Sequence, residues 1–561
     1  MASVRRLVAL TLSSAALLAH ASSTDTDEAR GKIWWSHVQV LADDSMQGRL
    51  TGSPGYMKAA EYVVGQFKSF GLQPAGTNGY FQPVHFDTQR VIADKSSIAL
   101  ITNGQPQPLT LGTDAIISSR SPEPSSADAP LVFLGYGLHL PESHYDDFNS
   151  AEVPFASLKG KIVVIINGGP ADLPGPLKSY ARTAPLAKAL TDAGAVGLIS
   201  IPTPKSMDFG WDRIASSASQ PGMWLASTPE DAAIAAEHPA LAENHGPRFS
   251  ATFNPAQAEK LFAGTGHTFA ELLALADAQK PLPRFPLNKS LRATVATVRS
   301  TVESPNIVAK LEGSDPKLKS EYVLVSAHLD HLGVGEPVKT PPADPNKRIY
   351  NGAMDDASGV ATVLETAKSF SEDARRGIRP KRSILFVVFT AEEKGLLGSR
   401  YFAGHPTVPR NAIVADLNLD MFMPIFALKK LHVQGLAEST LGEDAQRVGA
   451  AHNIIIANDP EPDRNSFVRT DQYSFVQAGV PALAMKFGWT FGSPEYKAWR
   501  AWLAQRYHST ADDLSQPVDL AAAAQFNSFF ADLARAVAND PSRPHYLQSS
   551  FFHRFESSTG N

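Results

Sequence analysis

Histidine and acidic residues follow three strand-like runs in the second half of the chain. The runs and the residues after them are Tyr322 to Ala327 with His328 and Asp330, Ser383 to Thr390 with Glu392 and Glu393, and Ile413 to Leu419 with Asp420. In open α/β sheets, ligands collect beyond the carboxyl ends of the strands. We therefore expect these imidazole and carboxylate groups to lie together in space.

Two further segments add groups of the same kind. Asp355 and Asp356 stand at the start of a predicted helix, and the run Tyr507-His508 is followed closely by Asp512 and Asp513. Each pair alone is typical of a helix cap or a surface feature. Their joint occurrence favours a metal site. Because the chain has no cysteine, its ligands must be histidine and carboxylate groups.

The elements around these residues alternate between buried strands and helices. A helix is predicted from Ala357 to Phe370 and another near Leu396 to Ala403, between the three strand-like runs. An earlier amphipathic helix is predicted to open at Ser53-Pro54-Gly55 and to close at Gly71. This alternation predicts an α/β fold, with a mostly parallel sheet that is covered by helices on both faces.

Composition limits the other possibilities. A chain of 561 residues is long enough for more than one core. Its formal net charge of -5 gives no basic surface for nucleic acid, which is an unlikely class of partner on this ground. The first 21 residues have a basic start, an apolar stretch and the small-residue site Ala19-His20-Ala21. They predict a signal peptide and an exported protein, periplasmic or secreted, without stable membrane insertion.

A second unit is predicted inside the first. The Pro- and Ser-rich passage Ser118 to Pro130 indicates its beginning, and the segments GYGL, LKGKIVVIING and AKALTDAGAVGLISI resemble the β-rich protease-associated domain. The predicted divisions are a signal peptide (1–21), the N-terminal part of the main domain (22–117), the insert with its linkers (118–290), the rest of the main domain (291–540) and a tail (541–561).

Taken in order, the motifs SAHLDHLG, NGAMDDASGV, FTAEEKGLLGS, LNLDM and YHSTADD resemble those of the two-zinc metallo-aminopeptidases typified by secreted bacterial leucyl aminopeptidases. The resemblance implies the zinc exopeptidase fold and two Zn²⁺ ions per chain. It assigns His328, Asp355 and Asp420 to one zinc. Asp355, Glu393 and His508 would hold the other, so that Asp355 bridges the pair.

The resemblance also implies roles for residues beside the ligands. Glu392 matches the general base that acts on a zinc-bridging hydroxide, and Asp330 matches the acceptor that orients His328. Tyr507 matches a donor to the oxyanion, and Arg469 and Asp471 lie in a stretch that resembles the wall of the substrate pocket. Four other histidines lack a matching motif and are interpreted as ordinary structural or surface residues: His331, His405, His432 and His452.

The predicted activity is that of an aminopeptidase acting on peptides with a free N-terminus. Carboxypeptidases and glutaminyl cyclases use the same architecture, and receptor-like relatives keep the fold without catalysis, so the fold alone does not decide between them. The sequence predicts neither the preferred N-terminal residue nor the oligomeric state.

Overall fold

The computed structural model describes residues 26–120, 126–216, 218, 220–243, 246–338, 344–464 and 466–556. The predicted signal peptide, residues 1–21, lies outside this range. Within the range, none of the helices combines the length and the apolar character needed to cross a membrane. Most of the strands belong to two large sheets, one of ten strands and one of eight.

The ten-stranded sheet contains the predicted strand ends. Nine of its strands form a continuous order: Gly222–Leu225, Phe81–Val91, Thr297–Leu311, Ser383–Phe389, Tyr322–His328, Ile413–Asn418, Ala482–Phe487, Lys430–Gln434 and Ile455–Ala457, with Gln73–Pro74 paired to the third. The four strands from Ser383–Phe389 to Ala482–Phe487 run parallel. The strands on the Thr297–Leu311 side are antiparallel. The α/β fold is confirmed, but parallel pairing is limited to these four central strands and to the edge pair Lys430–Gln434 and Ile455–Ala457.

Helices cover both faces of this sheet. Residues 26–41 and the helices Pro54–Phe70, Ser358–Arg375 and Leu520–Asn539 pack on one face, and Leu397–Gly404 and Gln472–Gln477 on the other. Two further helices of this unit are Leu441–Ala451 and Pro494–Gln505. The helix predicted from Ser53 to Gly71 begins and ends as expected, because the Ser53 side chain accepts from the amide of Tyr56 and Gly71 adopts φ 80°.

The eight-stranded sheet forms a second core. Its strands in spatial order are Gln105–Leu109, Ser97–Thr102, Phe285–Thr294, Ala127–Phe133, Ile162–Ile166, Gly197–Ile201, Phe249–Phe253 and Ala115–Ile117. Short helices accompany it: Gly175–Ala181, Ala184–Asp192, Trp211–Ser216, Asp231–Glu237, Glu259–Phe262 and Phe269–Asp277. Hydrophobic clusters lie on both of its faces. We call residues 97–294, which contain all eight strands, the insert.

The insert begins earlier than the sequence predicts. Its sheet already includes Ser97–Thr102, about twenty residues before the predicted start at 118. The Pro- and Ser-rich composition around Ser118 to Pro130 indicates a connection inside the insert, because loops share that composition with domain boundaries. Within the insert, the strand Gly222–Leu225 returns to the main sheet and pairs with Phe81–Val91. This excursion brings insert residues to the edge of the main domain.

Candidate metal centre and catalytic cavity

The candidate ligands follow the parallel centre of the main sheet. His328 is the last residue of its strand, Glu392 and Glu393 follow the strand Ser383–Phe389, and Asp420 follows Ile413–Asn418. These strands are direct neighbours, so their carboxyl ends meet at one edge. The sheet therefore brings these residues together at one edge, as the sequence predicts.

The backbone beside the ligands adopts an unusual conformation. Ala391, Met421 and His508 have φ values of 57°, 53° and 50°, in the left-handed region that non-glycine residues seldom occupy. Such residues cluster at functional sites, where the surrounding structure holds them in place. Here His508 is a candidate ligand, Met421 follows the candidate ligand Asp420, and Ala391 precedes Glu392.

Asp355 lies between two groups of side chains. One of its oxygens is 3.3 Å from Nε2 of His328, and the other is 3.2 Å from Nε2 of His508. Nε2 of His328 is also 3.7 Å from Asp420, and Nε2 of His508 is 3.2 Å from Glu393. The five side chains that the sequence singles out as ligands thus meet around one carboxylate.

The donor atoms of this cluster fit a cation. Nε2 of His328, one oxygen of Asp355 and one of Asp420 are buried and make no hydrogen bond within the described residues. The unpartnered oxygen of Asp355 is the one that faces His508. A buried polar atom without a partner is costly, and cations bound on both sides of Asp355 would remove that cost. The groups His328, Asp355 and Asp420, and His331, Asp355 and Glu393, each place a ligand atom from every member close enough to hold a metal ion. Histidine and carboxylate ligands suit zinc.

The carboxylates of the cluster attract positive charge. Desolvation lowers the pKa of His508, but Glu393 and Asp355 outweigh this effect and raise the pKa to about 10. Desolvation likewise opposes the shift at Glu393, whose pKa is nevertheless held below its usual range by His508 and His331. The carboxylates of the cluster therefore increase the proton affinity of the His508 imidazole. A metal ion would satisfy the same carboxylates.

The hydrogen bond of His328 corrects the role given to Asp330. Nδ1 of His328 lies 3.0 Å from the backbone oxygen of Asp330, so the main chain rather than the carboxylate provides the acceptor. The carboxylate of Asp330 accepts from the amides of Glu392 and Glu393 at 3.0 and 3.3 Å and from the Thr51 hydroxyl at 3.1 Å. Two residues after a strand, the side chain of Asp330 points toward the neighbouring strand end and orients the Glu392–Glu393 turn.

His331 is the clearest residue that the sequence interpretation missed. It is fully buried, and its Nδ1 lies 2.7 Å from Glu393 and 3.8 Å from Asp355. His331 therefore lies within the candidate metal cluster, and the interpretation of it as an ordinary structural or surface histidine is wrong. Its place in the run His328-Leu329-Asp330-His331, directly after a buried strand, was the available signal. Two of the other histidines lie elsewhere, since His405 stacks on Tyr401 and His452 contacts Asp532. His432 packs on Trp489 and lines the cavity that opens on the cluster.

Two buried residues hold the backbone of the site. Asp512 accepts from the amides of Met354 and Asp355 at 2.9 and 3.1 Å, which fixes the segment that carries the central carboxylate. Arg49 is fully buried and donates to four backbone oxygens, those of Leu41, Leu329, Asn351 and Gly352. A guanidinium has five donors in a fixed geometry, so one Arg49 can tie three separate segments together.

A cavity of about 590 Å³ opens on this cluster, within the usual size of a small-ligand pocket. Asp355, Glu392, Glu393, Asp420 and His508 line its floor. Desolvation is the main cause that raises the pKa of Glu392 well above its usual value, and Asp420 and Glu393 raise it further. A carboxylate with a raised proton affinity, placed beside the cluster, is suited to moving a proton.

The three remaining residues predicted for the site differ in whether they line the cavity. The ring of Tyr507 is 4.1 Å from that of His508 and lines the cavity. Arg469 also lines it, but its guanidinium is engaged by Asp208 of the insert, with both nitrogens 3.1 Å from one oxygen. Asp471 is not among the residues that line this cavity. It is 1% exposed, and burial raises its pKa to about 7.

Comparison with known proteins finds a family model that is similar to the segment carrying this cluster. The model of Peptidase family M28 matches residues 306–534, the segment that contains His328, Asp355, Glu393, Asp420 and His508. This segment is therefore similar to peptidase family M28. The strand ends and the central carboxylate that form the candidate site all lie within it.

Curated relatives and solved structures add detail. The chain is 31% identical to carboxypeptidase Q of Rattus norvegicus over 188 residues, 33% of each protein, and 27% identical to leupeptin-inactivating enzyme 1 of Streptomyces exfoliatus over 223 residues, 38% of this chain and 44% of that one. It thus spans a third to under half of these relatives. The aminopeptidase from Aneurinibacillus sp. strain AM-1 has the same fold, with a TM-score of 0.52 at 18% identity over 93% of this chain and 97% of that one.

Proposed function

We propose that this chain is a zinc-dependent exopeptidase of the M28 type, an aminopeptidase with two zinc ions bound around Asp355. The observation that carries the proposal is the position of Asp355, whose two oxygens face His328 and His508 at 3.3 and 3.2 Å. His328 and Asp420 would complete one site, and Glu393 and His508 the other. Zinc bound there would polarise the scissile carbonyl and lower the pKa of a bound water.

The side chains around the cluster provide the rest of the chemistry. The carboxylate of Glu392 takes the proton of the attacking water and returns it to the leaving nitrogen. Asp330 holds the Glu392–Glu393 turn through two amides, so the base keeps a fixed position. The hydroxyl of Tyr507 would donate to the oxygen on which charge develops.

The acidic character of the floor supports an amine anchor. Asp355, Glu392, Glu393 and Asp420 all border the cavity, and a protonated α-amino group is the substrate end that such a surface attracts. Arg469 and the nearby Arg464 are both paired with Asp208, which reduces their ability to bind a carboxylate. The predicted signal peptide further supports peptide substrates outside the cytoplasm.

A carboxypeptidase is the second candidate, because carboxypeptidase Q is among the relatives and the wall contains Arg464, Arg469 and Lys486. The deciding experiment compares four versions of one dipeptide: free, N-acetylated, C-amidated and doubly blocked. The aminopeptidase predicts that acetylation abolishes hydrolysis and that amidation does not. The reverse pattern would establish the carboxypeptidase, and absence of hydrolysis of the whole panel with zinc present would contradict both.

A further inference from the structure

A segment of the insert reaches the candidate metal ligand His508. The ring of Phe209 lies 5.7 Å from the His508 ring and 5.6 Å from the Tyr507 ring. Phe209 precedes the short helix Trp211–Ser216, on which Arg213 stands, and the Arg213 guanidinium lies 5.8 Å from the Phe209 ring. One stretch of five residues therefore places an aromatic ring and a cation against the loop that carries a ligand.

Arg213 fixes the backbone of that loop. Its guanidinium donates to the carbonyl oxygens of Tyr507 at 2.8 Å and Ala504 at 2.5 Å, with a longer contact to Leu503 at 3.4 Å. Leu503 and Ala504 belong to the last turn of the helix Pro494–Gln505, where carbonyls lack partners within the helix and the helix dipole favours a cation. Arg213 is only 4% exposed, so these bonds are shielded from water.

His508 needs such support. Its backbone has φ 50°, and holding a non-glycine residue there costs about 1 to 3 kcal/mol. Its Nε2 must also stay near Asp355 and Glu393, at 3.2 Å from both. Within its own domain the loop is held after His508 by Arg506, which donates to the carbonyl of Ala511, and by Asp512, which accepts from the amides of Met354 and Asp355. Before His508, the amide of Tyr507 makes only a long contact of 3.4 Å with the carbonyl of Trp502, and the carbonyl of Tyr507 accepts from Arg213 of the insert.

We infer that Phe209 and Arg213 of the insert position His508, and so set the affinity of the metal site that His508 forms with Glu393. This inference rests on the proposed function for the identity of the metal. It gives the insert a role in the active site itself: the main domain supplies the ligands, and the insert holds one of them in place. Both are positioning residues, because they act through His508.

The test measures zinc binding directly. Metal-free protein is titrated with Zn²⁺ in competition with a chromogenic chelator, for the wild type, Arg213→Ala, Phe209→Leu and the control Arg182→Ala. Arg182 is also in the insert and also donates to a backbone oxygen, that of Gly168. Its own side chain is not among those that line the main cavity, although its neighbour Thr183 lines it. Circular dichroism melting of each variant checks that it is folded.

Loss of an orienting partner commonly lowers metal affinity about 10- to 100-fold. We expect Arg213→Ala and Phe209→Leu to weaken one of the two zinc sites by about this factor, to leave the other and the Arg182→Ala control as in the wild type, and to recover turnover at excess Zn²⁺. Wild-type affinity at both sites, or equal weakening of both in a folded variant, would overturn the inference. If Arg213→Ala does not fold, the milder Phe209→Leu decides. A wild type that binds no zinc would instead overturn the proposed function.

Discussion

The two sheets of this protein both have four parallel strands at their centre, but the residues that follow those strands differ in kind. In the main sheet, three of the four strands carry His328, Glu392, Glu393 and Asp420 at their ends or within four residues after them, and the fourth continues into Gly488. In the insert, the four residues after each strand, which begin at Leu134, Asn167, Pro202 and Asn254, include no histidine and no acidic residue. Of the described residues, both groups that could hold a metal ion lie in the main domain.

This difference shows what the parallel edge contributes. The topology brings loop residues together at one edge in both sheets, but only ionisable residues make that edge a reactive site. The insert takes part through another feature, the segment from Asp208 to Arg213, which contacts the main domain while the strands of the insert form a separate core. Four substitutions test how far this separation holds.

The largest expected effect is at the base. Glu392→Gln should lower kcat by about 100- to 10,000-fold, because a glutamine cannot take the proton of the attacking water. Zinc content, measured by atomic emission, should stay at the wild-type value, since Glu392 is not a proposed ligand. Glu312→Gln, at the surface beside Lys319, is the matched control and should leave kcat unchanged. A loss of zinc in Glu392→Gln would show that Glu392 and Glu393 have exchanged roles.

The next effect concerns the metal. His328→Ala removes a ligand, so zinc affinity at one site should fall by more than about 100-fold, beyond the loss caused by removing an orienting partner. Equilibrium dialysis against buffered Zn²⁺ measures this change. His452→Ala, where the imidazole contacts Asp532 away from the cluster, should bind zinc as the wild type does. Full retention of both zinc ions by His328→Ala would refute its role as a ligand.

In the insert we expect a loss of stability with the metal retained. Phe133 is fully buried and packs on Phe262 and Phe285 at 5.2 and 5.3 Å. Phe133→Ala should lower the free energy of unfolding of the insert by about 3 to 5 kcal/mol, through lost burial and the cavity that remains. Denaturant unfolding followed by circular dichroism measures it, and zinc stoichiometry is the second readout. If this variant lost zinc while its insert stayed folded, the two cores would be more strongly coupled than their contacts indicate.

The smallest effect is a pH dependence at His432, on the strand Lys430–Gln434 of the main sheet. Burial, followed by the charge of Lys430, lowers its pKa from 6.5 to about 4. Between these values the unfolded chain binds the proton and the folded chain does not, so stability is lost as pH falls below 6.5. Relative to His432→Gln, the wild type should lose about 2 kcal/mol between pH 7 and pH 5. Urea unfolding of the metal-free proteins measures this, and parallel pH curves would contradict it.

The sequence by itself predicted the candidate donor set and its order along the chain. His328, Glu393 and Asp420 follow buried strands and Asp355 stands at a helix start, positions that local patterning reports. The choice of His508 and the division of the five residues between two zinc ions came from the resemblance to the two-zinc aminopeptidases. The helix Pro54–Phe70 was also predictable from local patterning, since Ser53 and Gly71 are caps that act within a few residues.

Only the tertiary structure decided which groups complete the site. The backbone oxygen of Asp330, and not its carboxylate, lies beside Nδ1 of His328, and His331 lies against Glu393. The sheet of the insert already begins at Ser97, and Arg213 donates to the carbonyl of Tyr507. These contacts depend on side-chain direction after a strand and on docking between segments about 300 residues apart. Hydrophobic periodicity reports which face of an element is buried, but not which distant segment packs against it.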